Sequence, residues 1–436
     1  MKKILNTTAP LLSLPYDAQL ITKQYKIFSA MQNISSLLRK SNTLSPEILE
    51  YCSKNKGLLC KIEDIYKSPV IEGYRNKMGA IVGFDEMGNL TVGHAMTFSN
   101  FDKTRKKLVT FSHFCDKLDK KHHILIAKLF EKFIKEDSQF IPNQKKKISL
   151  YKGITIRSNR KNETMINIHF RARFTGIDRI LGISKELSDQ FLTSLQNESI
   201  NVRSLYCQQM ESHFEHTHAQ LSCKLIYGDK YLMENVCGKT FYISPLSFFQ
   251  VNVEVAEMIY QKAKQLVEDY KSKSGKKILL LDLCCGTGTL GIILSDIVEQ
   301  VIGVDIVPSA IENAKFNAKA NNVNNVEHFC KPVEEFLPEF LNSDIAKEYD
   351  NVVAVLNPSR DGLSTEFCET LRSFESLKMI VYISCHVEGQ TTLNICTLCT
   401  VKGDSNPEVP FSLSKIIPLD PFPHTTHVEV IFQMTR

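Results

Sequence analysis

Between residues 255 and 270 the apolar positions Val255, Ile259, Ala263, Leu266 and Tyr270 fall four, four, three and four apart. That is the spacing of one buried helical face. After the lysine-rich turn KSKSGKK (271–277) the period changes, and strand-like and helix-like stretches alternate. Strands are predicted at 278–283, 301–305, 352–356 and 379–384, and helices at 289–298, 308–321 and 364–374. Alternation of this kind predicts an α/β fold with a parallel sheet covered by helices on both faces. Upstream, 70–100 reads as short strands punctuated by glycines, 123–136 as a helix with one apolar face, and 148–157, 165–173, 221–227 and 241–243 as further strands. The pattern divides the chain into an N-terminal extension (1–65), a mixed α/β central region (66–240) and a C-terminal α/β domain (241–436). At 436 residues, two or three packed units are the natural expectation. No apolar run reaches the length of a bilayer span, so no membrane association is expected.

Charge sharpens that division. Residues 1–240 hold 37 Lys and Arg against 23 Asp and Glu, a net +14, whereas 241–436 hold 16 against 25, a net −9. The first part suits a polyanion. Its bases concentrate at Lys103, Arg105, Lys106 and Lys107, and again in KKKISLYKGITIRSNRK (145–161), which reads as a phosphate-contacting surface. Residues 1–40 set Lys2, Lys3, Lys23, Lys26, Arg39 and Lys40 against Asp17 alone, a balance that leans toward an organelle transit peptide. Thirteen irregularly spaced cysteines argue for a reducing compartment rather than a disulfide scaffold. Cys396 and Cys399 lack a second pair at zinc spacing, and Cys52 and Cys60 lack the clustering of an iron–sulfur site, so no metal is expected.

In open parallel sheets ligands bind at the carboxyl ends of the strands. The first of these strands runs into Asp282-Leu283-Cys284-Cys285-Gly286-Thr287-Gly288-Thr289-Leu290-Gly291, in which Gly286 and Gly288 let the backbone approach a ligand closely. The second ends at Asp305, placed to accept hydrogen bonds from two ribose hydroxyls. Together they imply an adenosine ligand. GTGTLG also satisfies the dinucleotide fingerprint, so a dinucleotide-dependent oxidoreductase is a rival at this point.

Three later segments decide between them. One strand ends in Asn357-Pro358-Ser359-Arg360-Asp361-Gly362-Leu363, the next ends in Ser384-Cys385, and near the C-terminus stands Asp420-Pro421-Phe422-Pro423-His424-Thr425-Thr426-His427-Val428-Glu429. A lone cysteine after a buried strand is more often an inert core thiol, and a lone glutamate near a terminus is usually surface. A thiol and a carboxylate gathered on one sheet edge suit methyl transfer to carbon 5 of uracil. That carbon is a poor nucleophile until a thiolate adds to carbon 6, and its hydrogen must afterwards be removed by a base. Cys385 is the expected nucleophile and Glu429 the expected base. Arg360 is placed to lower the thiol pKa or to hold the enolate oxygen or a phosphate.

Read in order, SPLSFFQVN (244–252), LDLCCGTGTLG (281–291), GVD (303–305), NAKANN (317–322), NPSRDGL (357–363), YISC (382–385) and DPFPHTTHVE (420–429) resemble the RNA uracil-5-methyltransferase family, and SPVIEGYRNK (68–77) resembles its N-terminal signature. The resemblance implies a class I Rossmann-like methyltransferase domain using S-adenosyl-L-methionine, with the basic central region gripping RNA. By motif it implies that Gln250 contacts cofactor or uracil, that Cys284, Gly286 and Thr289 line the methionine side, that Asp305 meets the ribose and that Asn357 meets cofactor or base. The implied partner is RNA, through the T-loop uridine of tRNA, mitochondrial rRNA or both, and a monomeric chain is expected. Most relatives carry D-P-P-R where this chain has Asn357-Pro358-Ser359-Arg360, which removes a charge but keeps hydrogen-bonding capacity. The N-P-x-R-x-G-L form resembles the animal mitochondrial branch, so a mitochondrial location is expected, with a cytoplasmic or nuclear one as the alternative. A catalytically weak RNA-binding factor that kept the fold is the second functional reading, made conceivable by Asn357 and opposed by the retention of Cys385 and Glu429.

Overall fold

The computed structural model describes residues 8–40, 44, 46–85, 87–99, 106–111, 114–136, 150–171, 189–210, 223–400 and 409–436. The chain forms two compact units. One comprises Val70–Glu234 with two short additional pieces, and the other comprises Leu11–Pro69, Asn235–Phe241 and Ser247–Arg436.

The first unit is built on a seven-stranded sheet. Its strands are β1 (Lys77–Phe84), β2 (Leu90–Ser99), β3 (Lys106–Phe111), β4 (Tyr151–Ser158), β5 (Thr164–Arg171), β6 (Val202–Met210) and β7 (Cys223–Gly228), in the order β3-β2-β1-β4-β5-β6-β7. Only β5 and β6 run parallel; the other neighbours are antiparallel. The helix Lys121–Glu136 buries Ile126, Ala127, Phe130 and Ile134 at helical spacing. Phe130 meets Tyr151 edge to face at 5.7 Å, within a core shared with Ile154, Ile156 and Phe191.

Here the expected phosphate-contacting stretch is corrected in part. Lys152 and Arg157 lie on β4 and are buried, at 5% and 2% exposure, because that strand is central to the sheet. Burial pushes the Arg157 guanidinium down to about 10. Arg160 and Lys161 are exposed, whereas Lys103, Arg105 and 145–149 lie outside the described residues.

The second unit carries the other seven-stranded sheet. Its strands are β10 (Leu279–Leu283), β11 (Gln300–Asp305), β12 (Val326–Cys330), β13 (Val352–Leu356), β14 (Leu377–Ser384), β15 (Ser412–Leu419) and β16 (Glu429–Thr435). Between the two sets in the chain stand β8 (Leu232–Val236) and β9 (Lys239–Ile243), which pair as a two-stranded ribbon. The order is β12-β11-β10-β13-β14-β16-β15, parallel from β12 to β14 and closed by the antiparallel pair β16 and β15. β10 and β13 are buried at every residue, as strands covered on both faces must be. The expected helix at 289–298 ends at Leu294, and the helix at Val253–Ser274 is closed by Gly275 in the left-handed conformation at φ 63°.

The N-terminal segment departs from its expected status as an extension. The helix Tyr16–Lys40 turns Ile27, Met31, Ile34 and Leu38 into the same core as Tyr382, Phe411 and Phe432. Residues 62–66 run along the sheet edge, where Glu63 N donates to Ile416 O and Tyr66 N donates to Pro418 O, each at 2.9 Å. Burial of an apolar stripe against a distant part of the chain is the physical reason, and a short sequence window does not register it.

Candidate active site

Parallel strands present all their carboxyl ends at one edge, and here that edge collects most of the residues singled out from the sequence. β10 leads into a tight loop in which Cys284, Gly286 and Gly288 all take positive φ, at 65°, 56° and 74°. A Cβ on Gly288 would stand 2.9 Å from His328 Nε2 and 3.0 Å from the Ala314 side chain, so only glycine fits there. A Cβ on Gly286 would meet nothing within 4 Å, which leaves its face of the loop open to a ligand. The loop is held from below by two carboxylates. Gly286 N donates to Asp305 Oδ2 at 2.8 Å, and Gly291 N donates to Asp282 Oδ2 at 2.8 Å. Asp305 Oδ1 also accepts from Val307 N at 2.9 Å, and each of its oxygens keeps a second lone pair for a ligand hydroxyl. Burial pushes the Asp282 carboxyl up to about 7. Thr289 opens the following helix, its hydroxyl 3.0 Å from that of Thr287. Burial raises the Cys284 thiol to about 12, which makes it a neutral wall group rather than a nucleophile.

The segment carrying Gln250 is anchored on both sides. Ser247 Oγ accepts from Asn313 Nδ2 at 2.9 Å, and the buried Asn252 caps the helix Val253–Ser274 by accepting from Val255 N. Asn252 Nδ2 also donates to Pro421 O at 3.1 Å, tying this segment to the 420–428 loop. Gln250 itself is half-buried.

Cys385 follows the last residue of β14, and Glu429 is the first residue of β16. Ser384 pairs with Val430 in antiparallel register, so one step further on Cys385 and Glu429 end the two strands side by side. The Ser384 hydroxyl pins the turn by accepting from His386 N at 3.1 Å and lies 2.8 Å from Thr391 Oγ1. Cys385 is half-buried. Burial and the neighbouring Glu429 charge raise its thiol, while a hydrogen bond and the charge of Arg360 pull in the opposite direction without winning. Glu429 is 2% exposed, and burial lifts its carboxyl to about 8 against the pull of Arg360. Asn357 and Arg360 sit just beyond β13 on the same edge, half-buried and exposed respectively. Cys284, Gly286, Thr289, Asp305, Asn357 and Cys385 thus lie at or just beyond strand ends on one edge where Glu429 opens β16, and Gln250 lies in the segment tied to Asn313 and to Pro421.

Sequence reading missed the supports: Tyr16, Gln19, Lys23 and Asp282. A signal existed for two of them. Gln19 and Lys23 occupy the buried stripe of the helix Tyr16–Lys40, where apolar residues are the rule. Among the described residues no group of His, Cys, Asp and Glu could hold a metal ion.

A parallel sheet extended by an antiparallel pair, with a glycine loop after one central strand and a carboxylate ending the next, defines a class I S-adenosyl-L-methionine-dependent methyltransferase, and the open glycine loop above Asp305 fits that cofactor. Comparison with known proteins narrows the class. The chain belongs to the tRNA (uracil-5-)-methyltransferase family, whose model matches residues 119–436. It is 29% identical over 438 residues to tRNA (uracil-5-)-methyltransferase homolog B of Pongo abelii, covering 100% of this chain and 87% of that protein. Against homolog A of Homo sapiens it is 27% identical over 445 residues, covering 100% of this chain and 68% of that one. The fold matches that of Pyrococcus abyssi tRNA (uracil-54, C5)-methyltransferase in complex with S-adenosyl-L-homocysteine, with a TM-score of 0.66 at 23% identity, covering 98% of this chain and 85% of the other. The chain is an RNA uracil-5-methyltransferase using S-adenosyl-L-methionine. No helix among the described residues is long and apolar enough to cross a membrane.

Proposed function

We propose that this enzyme methylates a tRNA uridine through a covalent adduct in which Cys385 Sγ bonds to carbon 6. The observation carrying the reading is the pairing of Cys385 and Glu429 at adjoining strand ends beside Arg360. Arg360 stabilises the Cys385 thiolate, whose addition to carbon 6 makes carbon 5 an enolate carbon. S-adenosyl-L-methionine supplies the methyl group as a sulfonium and leaves as a neutral thioether. Glu429, in the ionised form that its raised pKa of about 8 leaves as the minority at neutral pH, then takes the proton from carbon 5; the electron pair returns to the ring, the carbon–sulfur bond breaks and the thiolate is released. Asp305 is assigned to the ribose of the cofactor, the Cys284–Thr289 loop to its methionine end, and Gln250 and Asn357 to cofactor or base.

A uridine stacked in a helix cannot reach such an edge, so the target is a nucleotide turned out of its stack. The activity of the Pyrococcus abyssi enzyme on uracil 54 of tRNA favours the corresponding T-loop uridine as the target. A mitochondrial location is part of this proposal and rests on the NPSRDGL form (357–363). The test is incubation of unmodified tRNA with the protein and S-adenosyl-L-methionine, followed by mass mapping of 5-methyluridine, alongside 5-fluorouridine RNA run on a denaturing gel. A protein–RNA adduct present in the wild type and missing in Cys385→Ala is expected. Full turnover by Cys385→Ala would overturn the mechanism, and methylation confined to rRNA would overturn the substrate.

A further inference from the structure

Residues 420–428, between β15 and β16, contain no regular secondary structure, yet they are held from the far end of the chain. Lys23 Nζ donates to Asp420 Oδ1 at 2.5 Å and to Phe422 O at 2.9 Å. The Tyr16 hydroxyl donates to Asp420 Oδ2 at 3.0 Å, and Phe422 N donates to Asp420 Oδ1 at 3.2 Å. One helical turn away from Tyr16, Gln19 Oε1 accepts from His424 N at 2.7 Å, and its Nε2 lies 3.1 Å from His424 Nδ1. Leu11 N donates to His424 O at 3.0 Å, at a residue held at φ 68°.

Lys23 and Asp420 are 1% and 0% exposed. A buried ion pair is a poor source of stability, since desolvation of both charges offsets their attraction, and apolar residues of similar size would serve as well or better. What such a pair supplies is direction. Charge-assisted hydrogen bonds fix Asp420 and the Phe422 carbonyl relative to a rigid helix, and the loop then delivers Glu429 at a set position. A general base is sensitive to displacements of an ångström or less.

We propose that Lys23 is a positioning residue for Glu429, acting through Asp420 and the turn at His424, so that the helix Tyr16–Lys40 belongs to the catalytic machinery. The inference rests on Glu429 being the base that removes the carbon 5 hydrogen. On RNA containing 5-fluorouridine no proton is available at carbon 5, so trapping of the covalent complex reports on Cys385 and methyl transfer without the base. On ordinary uridine RNA, loss of the base step makes the same complex accumulate.

The experiment compares full-length wild type, Lys23→Met, Asp420→Asn, Gln19→Met and Glu429→Gln on the two RNAs. Expected for Lys23→Met and Asp420→Asn is turnover slowed about tenfold or more, with adduct accumulating on uridine RNA and trapping on fluorinated RNA within about threefold of wild type. Gln19→Met, which leaves the ion pair intact, shows the same split in smaller measure and carries the test should the charge variants fail to fold. Parallel loss of trapping and turnover, or unchanged turnover, overturns the positioning role. If Glu429→Gln accumulates adduct and the Lys23 and Gln19 variants do not, the inference alone fails; if Glu429→Gln accumulates none, the assignment of the base fails instead.

Discussion

Cys385 and Glu429 terminate hydrogen-bonded neighbours, β14 and β16, one residue beyond the Ser384–Val430 pair. Because the two strands run antiparallel, residues 44 positions apart in the chain emerge at the same edge, one leaving the sheet and the other entering it. Glu429 raises the Cys385 thiol, and Arg360 acts on both to favour the charged forms.

Removing that cation should therefore shift the whole pH response. In Arg360→Met the thiol loses its hydrogen-bond donor and its positive neighbour, so the thiolate fraction at neutral pH falls. Single-turnover methyl transfer is expected to drop roughly tenfold to a hundredfold at pH 7, with partial recovery toward pH 9. A variant whose rate–pH curve overlies that of the wild type would show that Arg360 does not tune the thiol.

The buried Glu429 also leaves a thermodynamic trace in the free protein. Its folded pKa of about 8 lies above the usual carboxyl value of 4.5, so the folded state binds the extra proton and the stability linked to it is lost as pH rises between those values. Glu429→Gln removes the group that titrates. The melting temperature of the variant relative to wild type should thus rise from pH 6 to pH 9, by the equivalent of roughly 1–3 kcal/mol. A difference independent of pH would place the carboxyl in a normal environment.

Gly288→Ala tests the cofactor loop. Its φ of 74° costs an L-residue about 1–2 kcal/mol, and its new methyl group would press on His328 and Ala314. Weaker S-adenosyl-L-methionine binding by calorimetry, by about tenfold or more, together with a lower melting temperature, is expected. Unchanged affinity would mean that the loop does not touch the cofactor.

Asp305 has two duties that substitution can separate. Asp305→Ala loses both loop contacts, to Gly286 N and Val307 N, and the ribose acceptor, whereas Asp305→Asn keeps one acceptor oxygen. KM for S-adenosyl-L-methionine should rise in the order wild type, Asn, Ala, by roughly tenfold at each step, with kcat changing less. Equal losses in kcat for the two variants would argue that the carboxylate acts in the chemical step.

Much of this enzyme was legible in one dimension. The two buried runs at 279–283 and 352–356, the alternating helices and the glycine loop follow from local periodicity and backbone sterics, because a parallel strand covered on both faces must be apolar throughout and a sharp turn toward a ligand requires positive φ. Cys385, Asp305 and Gly286 were found for the same reason, as polar or small residues at the ends of such runs, whereas Glu429 was found only through the DPFPHTTHVE segment that it closes. β12, β15 and β16 passed unread, since edge and antiparallel strands bury only part of their length and show a weaker pattern. Lys152 and Arg157 looked like surface, since charge alone does not reveal that β4 runs through the middle of a sheet. The pairing of Lys23 with Asp420, 397 residues apart, was decided by tertiary structure alone. A charged residue in an apolar helical stripe announces that it needs a partner, but which partner depends on where the completed sheet places its loops, and no local preference encodes that.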